Sequence, residues 1–178
     1  MAGRDVIRVV WRVEEAKEEK KLDLSDCYLQ SVPDAIFLML RQTNVIGCSL
    51  ARNTIRKVPP KLGKLFTNLS VLDLSNNQLV SLPQELEEVT NLRKLDISVN
   101  NFAVLPDVVY KLSKLRLFNA EENIITDVDI DKLEDMDSLE EINLRENPLF
   151  NEVYEQLKQL DTVTVILSDR PDPFGDVD

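Results

Sequence analysis

Five asparagines set the period of this chain. Asn53, Asn77, Asn100, Asn123 and Asn147 follow one another at 24, 23, 23 and 24 residues, each in the same apolar frame. The frame is cleanest in Leu69-x-x-Leu72-x-Leu74-x-x-Asn77-x-Leu79-x-x-Leu82-Pro83. A unit of this length cannot bury its apolar face alone. Copies must stack, which constrains the chain to a solenoid in which each repeat packs only on its neighbours.

Six frames are present. The first is degenerate, Leu22-x-Leu24-x-x-Cys27-x-Leu29-x-x-Val32-Pro33, with Cys27 in the place of Asn. The second runs Val45-x-x-Cys48-x-Leu50-x-x-Asn53-x-Ile55-x-x-Val58-Pro59, and the third is the frame above. The fourth runs Leu92-x-x-Leu95-x-Ile97-x-x-Asn100-x-Phe102-x-x-Leu105-Pro106, and the fifth Leu115-x-x-Phe118-x-Ala120-x-x-Asn123-x-Ile125-x-x-Val128. The sixth is Leu139-x-x-Ile142-x-Leu144-x-x-Asn147-Pro148-Leu149. Within each frame the apolar residues alternate with period two, which predicts a short strand pairing in parallel with its neighbours. The chain must then turn a buried corner, where backbone groups need partners. An inward Asn amide both donates and accepts, so the Asn column is predicted to be structural.

After each corner a return segment carries apolar residues three apart: Ile36 and Met39, Leu62 and Leu65, Leu86 and Val89, Val109 and Leu112. With Pro fixing φ at the start, these predict helical or 3₁₀ turns on the convex side. Repeat five has one extra residue, moving the pair to Leu133 and Met136, and predicts a short distorted α-helix.

The ends predict caps. Residues 4–20 read as a helix with Val6, Val10 and Val13 at i, i+4, i+7 and with Ile7 and Trp11 beside them. Trp11 is expected in the core of this cap; the competing reading is an exposed membrane or partner anchor. Repeats span 21–149 and a C-terminal cap 150–167. That cap comprises a helix over Glu152–Leu160 with Val153, Leu157 and Leu160 inward, then a strand over Val163–Leu167. Ser168 to Asp178 reads as a loose acidic tail, and the whole of 1–178 as one domain.

Composition narrows the function. There is no His, so no Ser-His-Asp or Cys-His arrangement can exist, and no glycine-rich phosphate loop appears. Asp127, Asp129 and Asp131 have the spacing of a calcium loop, but Lys132 and Ser138 stand where Gly and Glu are required. The reading preferred there has Val128 in the core and Asp131 capping the next helix. No cofactor or metal is implied, and an enzyme is not expected. Cys27 and Cys48 read as buried free thiols of a reducing compartment. The N-terminus lacks a secretory pattern, and no apolar run approaches the roughly 18 residues of a membrane span. An intracellular location is expected, cytoplasmic rather than nuclear, for a chain that is monomeric. Net charge is −11 and uneven: residues 1–118 carry +3 and residues 119–178 carry −14. The acidic third repels phosphate backbones, so nucleic acid is not an expected partner. It serves either as a solubilising terminus or as an attractor of a basic protein.

Side chains between the core positions should form three outward columns on the sheet. One reads Lys21, Gly47, Val71, Lys94, Leu117, Glu141; the next Asp23, Ser49, Asp73, Asp96, Asn119, Asn143; the third Ser25, Ala51, Ser75, Ser98, Glu121, Arg145. Candidate partner-binding residues are Val71, Asp73, Lys94, Asp96, Leu117, Asn119, Glu121, Glu141, Asn143 and Arg145. The opposing reading of the Asp and Ser ladders is that they hydrogen-bond one another across strands.

The repeat form, with Leu-Pro after the Asn turn, resembles the intracellular leucine-rich repeat class that includes Ras-suppressor-like proteins. That resemblance implies an α/β leucine-rich repeat solenoid, a right-handed β/α superhelix with a curved parallel sheet on its concave face. It also implies non-catalytic protein binding, as by a small adaptor or regulatory subunit, with no catalytic residues to carry over. The alternative is an acidic, chaperone-like or nuclear module binding basic proteins such as histones.

Overall fold

The computed structural model describes residues 3–170. Each apolar frame delivers one three-residue strand: β1 (Lys21–Asp23), β2 (Gly47–Ser49), β3 (Val71–Asp73), β4 (Lys94–Asp96), β5 (Leu117–Asn119) and β6 (Glu141–Asn143). The C-terminal segment adds β7 (Thr164–Ile166). All seven lie in chain order as one open parallel sheet. Leu22, Cys48, Leu72, Leu95, Phe118, Ile142 and Val165 are in register along its inward line. Parallel strands joined by crossovers wind right-handed, because a right-twisted strand packs its return segment back on the sheet only that way. The frame leucines form one continuous core. Truncating one that is wholly buried, such as Leu95, to Ala costs about 2–5 kcal/mol by leaving a cavity.

The return segments differ along the chain. The first two are α-helical, α2 (Asp34–Met39) and α3 (Lys61–Leu65). The next two are 3₁₀ turns, Gln84–Glu88 and Val109–Lys111. The expected pairs Leu86/Val89 and Val109/Leu112 are buried, as three residues per turn requires. The pairs expected in the α-helical repeats are corrected. Leu65 is 44% exposed, and Phe66 takes its place at 2%. Met39 is only partly buried, and Leu40 lies inside. At 3.6 residues per turn the inward face recurs at i+4, not i+3. Phe37 and Phe66 then meet across the two helices, ring centroids 5.6 Å apart. Gly63 lets α3 approach the next return segment: a Cβ there would lie 2.1 Å from the Glu85 carbonyl oxygen.

In repeat five, α4 (Ile130–Glu134) is the short helix expected, with Val128, Leu133 and Met136 buried. Its cap is corrected. Asp129, not Asp131, accepts from the Lys132 N–H, because the helix begins at Ile130 and Asp131 lies inside its first turn.

The N-terminal helix, α1 (Gly3–Glu19), covers the open end of repeat one. Its rotation differs from expectation. Val9, Val13 and Ala16 face the core, while Trp11 is 74% exposed and Val6, Ile7 and Val10 lie outside with it. The turned helix lets Arg8 and Arg12 reach the first corner, where they donate to the carbonyls of Asp26 and Ser25.

At the other end α5 (Asn151–Gln159) packs beside α4 and buries Val153 and Leu157 in the core, and Leu160 is partly buried. The reading of 168–178 as loose is corrected for residues 168–170. Tyr154 donates to the Ser168 carbonyl at 3.0 Å, and Arg170 stacks 4.2 Å over the Tyr154 ring. Arg170 also donates to Leu149 O at 2.6 Å and Asn151 Oδ1 at 2.8 Å. The rest of that expected tail, 171–178, lies outside the described residues.

Candidate functional site

The corners align the outward face. Asn77 accepts from the Ile55 N–H of the preceding repeat at 3.0 Å and donates to the carbonyls of Leu50, Leu74 and Ser75. Asn100, Asn123 and Asn147 repeat this pattern one repeat further each time. Asn53 serves two N–H groups, Cys27 at 3.1 Å and Leu29 at 2.9 Å. Each Asn thus ties its own corner to the one before it. The residue preceding each Asn is left-handed: Arg52, Asn76, Val99, Glu122 and Glu146 have φ between 51° and 54°, and Asp26 before Cys27 has φ 53°. This column was not anticipated, since none of its members is glycine, the usual occupant of that region.

The strand residues Val71, Lys94, Leu117 and Glu141 stand in one register line, with Lys21, Gly47 and Thr164 extending it. Val71 is 41% and Leu117 39% exposed, and Lys94 between them is exposed too. Asp73, Asp96, Asn119 and Asn143 occupy the second line. They are half-buried except for Asn143, which is buried beneath Glu121 and Arg145. These side chains bond to one another. Ser49 donates to Asp73 Oδ2, Asn119 to Asp96 Oδ2 and Asn143 to Glu121 Oε2, at 3.0–3.2 Å. Arg145 Nε lies 3.7 Å from Glu121 Oε1.

The third column is corrected. Ser25, Ala51, Ser75 and Ser98 are buried, so only Glu121 and Arg145 of that column reach outward. Each serine hydroxyl turns back to the Asp two residues before it, at 2.6–2.7 Å for Asp23, Asp73 and Asp96. One carboxylate oxygen of each Asp is thereby committed to the corner, and Oδ2 of Asp73 and of Asp96 accepts from the neighbouring strand.

A hollow of about 380 Å³ opens on this face over β1 to β3. Its residues include Ile46, Gly47, Val71, Asp23, Ser49 and Asp73. Only Val71 and Asp73 of the ten candidates line it. The hollow was missed, though its signal stood in the sequence: Gly47 is the one member of its column without a side chain.

Nucleophilic chemistry finds little here. Both cysteines are buried free thiols. Burial pushes the Cys48 thiol up to about 12 and raises Cys27 despite the nearby Arg12. Both are held protonated, which suppresses reactivity. Burial likewise raises the Tyr110 phenol to about 12. In the aspartate run, the Asp127 carboxylate accepts from the Val128 N–H, and Lys132 beside Asp129 holds that carboxyl below its usual range. Among the described residues no helix is long and apolar enough to cross a membrane.

Known proteins share both sequence and form. The leucine rich repeat family model matches residues 49–102 and 90–149. Leucine-rich repeat-containing protein 20 of Mus musculus is 44% identical over 155 residues, covering 85% of this chain and 84% of that protein. The protein of the same name from Homo sapiens is 39% identical over 90 residues, 47% of this chain and 48% of that one. A solved LRR protein of Leptospira interrogans superposes with a TM-score of 0.67 at 22% identity, covering 92% of this chain. The chain spans 47% of that Leptospira chain, and the likeness there is one of fold. On its repeats, its sheet and these relatives, the chain belongs to the leucine-rich repeat family.

Proposed function

We propose that this chain is a non-catalytic protein-binding module, a small intracellular adaptor or regulatory subunit that holds a partner against the concave sheet. Domains of this family bind proteins, and curved repeat sheets provide extended surfaces for it. The observation that carries the proposal is the exposed register line through Val71, Lys94, Leu117 and Glu141. Two apolar side chains stand on it among charges, with Asp73, Asp96, Asn119, Glu121, Asn143 and Arg145 in bonded lines beside it. A few anchors within polar complementarity is the usual basis of affinity. The partner is a protein rather than nucleic acid or membrane, and a cytoplasmic location fits the two free thiols.

The test is affinity capture from cells with Leu117→Ala combined with Glu121→Gln. Gln keeps an acceptor for Asn143, so the melting temperature stays within a degree or two while capture of the wild-type partner set falls. Unchanged capture removes the part of the concave face around Leu117 and Glu121 from consideration. The acidic reading, a module for basic proteins such as histones, draws on the −14 charge of residues 119–178. Histone capture that weakens steeply above about 0.1 M salt would select it.

A further inference from the structure

We propose that the hollow over Gly47 is an anchor site for one arginine side chain of a basic protein partner. The inference rests on the concave face being the partner surface and gives one place on it a chemical specificity.

Gly47 sits between Lys21 and Val71 in register, so the line of side chains is interrupted there and the strand backbone forms a floor. Ile46 and Val71, 37% and 41% exposed, are apolar walls, and the stem of Lys21 closes the remaining side. Asp23 and Asp73 stand at the opposite end of the strands from Lys21, with Ser49 between them. Their Oδ1 atoms are occupied by the turns to Ser25 and Ser75, with Arg12 Nη1 a further 3.7 Å from Asp23 Oδ1, and Ser49 donates to Asp73 Oδ2. The carboxylates are thus fixed in direction before any ligand arrives.

This arrangement matches a long stem with a cationic tip. An aliphatic stem lies along apolar walls while its charged end stays at the wet rim. Two aspartates at the rim repel an acidic group. Asp23 and Asp73 are on strands separated by one other, about 10 Å apart at ordinary strand spacing. A planar fork of five donors can address both sides of that gap, whereas an ammonium is a single point charge. Arginine is therefore favoured over lysine. The negative charge offered to a cation at this end is that of Asp23 and Asp73 themselves, since residues 1–118 as a whole carry +3.

The test titrates the full ¹⁵N-labelled chain with Ac-Gly-Arg-Gly-NH₂ and with the Lys, Leu and Glu analogues, following amide shifts. The arginine peptide is expected to shift Gly47, Ser49 and Val71 saturably, with the lysine peptide weaker and the leucine and glutamate peptides inert. Gly47→Val fills the hollow. The space is open, the nearest contact of an added Cβ being Lys21 Cγ at 3.4 Å, so the variant folds. It is expected to weaken the arginine peptide at least about tenfold, and Asp73→Asn by about tenfold. Asn is tolerated at the equivalent position, since Asn119 makes the same turn through its Oδ1. Equal shifts from all four peptides, or binding that survives Gly47→Val, overturn the proposal. The two readings separate cleanly. If Leu117→Ala/Glu121→Gln abolishes partner capture while Gly47→Val binds the arginine peptide as the wild type does, the face stands and the anchor falls. If capture survives the double substitution but Gly47→Val destroys peptide binding, the anchor stands and the wider face falls.

Discussion

Corner one and corner three of the sheet solve the same problem with different groups. At corner three Asn77 donates to the carbonyls two and three residues before it and accepts an N–H from the repeat behind it. At corner one the residue is Cys27, which cannot do this. Its work is divided. Asn53 reaches back to the Leu24 carbonyl at 2.9 Å, and Arg12 of α1 donates to the Ser25 carbonyl, the group an asparagine at 27 would have served. Arg8 covers the next carbonyl, Asp26, at 2.9 Å. An asparagine at 27 would also find no earlier repeat whose N–H its oxygen could accept. A thiol demands nothing, and it lies 3.5 Å from Arg12 Nη1 in wholly buried space. The lesson is that the Asn column is a device for interiors. At a terminus the backbone still has to be satisfied, and the capping helix supplies the donors.

The largest effect expected from this comparison is at the interior corner. Asn77→Ala leaves an N–H and several carbonyls with fewer partners in buried surroundings and should cost about 4 kcal/mol. Chemical denaturation measures it; a loss below about 1 kcal/mol would mean that water replaces the amide and that the two corners are not different in kind. Arg12→Met keeps the stem against the cap and removes the donor, and about 2 kcal/mol should be lost. A neutral result would show that α1 is held by Val9, Val13 and Ala16 alone. Smaller, and opposite in sign, is Val99→Asn. Val99 is a β-branched residue at φ 54°, where the preceding corner already uses Asn76. Relief of that strain should stabilise by about 1 kcal/mol, read as a rise in melting temperature. No rise would mean that Val99 packs well enough to offset its backbone.

The smallest effect is a pH dependence at corner one. Arg52, hydrogen-bonded to Asp26 at 2.8 and 3.0 Å, holds that carboxyl below 3.8. A depressed carboxylate contributes stability above its unfolded value and loses it as pH falls through the folded one. Comparing wild type with Asp26→Asn, the difference in melting temperature should be present at pH 5 and shrink below pH 3.8. Asp26 is exposed, so the difference should be slight. A difference that grows with acid would reverse the assignment.

The repeats themselves were legible because burial in a solenoid is local and periodic. Leu72, Leu74, Asn77 and Leu79 recur as Leu95, Ile97, Asn100 and Phe102 in the next repeat, with Leu72 and Leu95 in register, so the pattern along the chain is the pattern in space. The caps and the face were less legible. In α1, residues 6, 7, 9, 10, 11 and 13 are all apolar, so two helical faces fit equally well at 3.6 residues per turn. The choice between them lay with Arg8 and Arg12 reaching carbonyls 18 and 13 residues away. The serine column was misplaced for a related reason. Alternation predicts which side a residue takes only within a strand; this column lies two residues past each strand's end, where the chain already turns inward, and Ala51 is buried there just as the serines are.

By itself, then, the amino-acid order determined the period, the inward line, the parallel strands and the asparagine corners. All of these follow from contacts between equivalent positions of adjacent repeats. Tertiary structure alone decided the rotation of α1, the exchange of an arginine for an asparagine at the first corner and which side chains wall the hollow over Gly47. It also decided where the return segments turn from α to 3₁₀. Each of these depends on unlike residues meeting across repeats or at an end, where periodicity carries no information and the satisfaction of particular backbone groups and the filling of particular volumes take over.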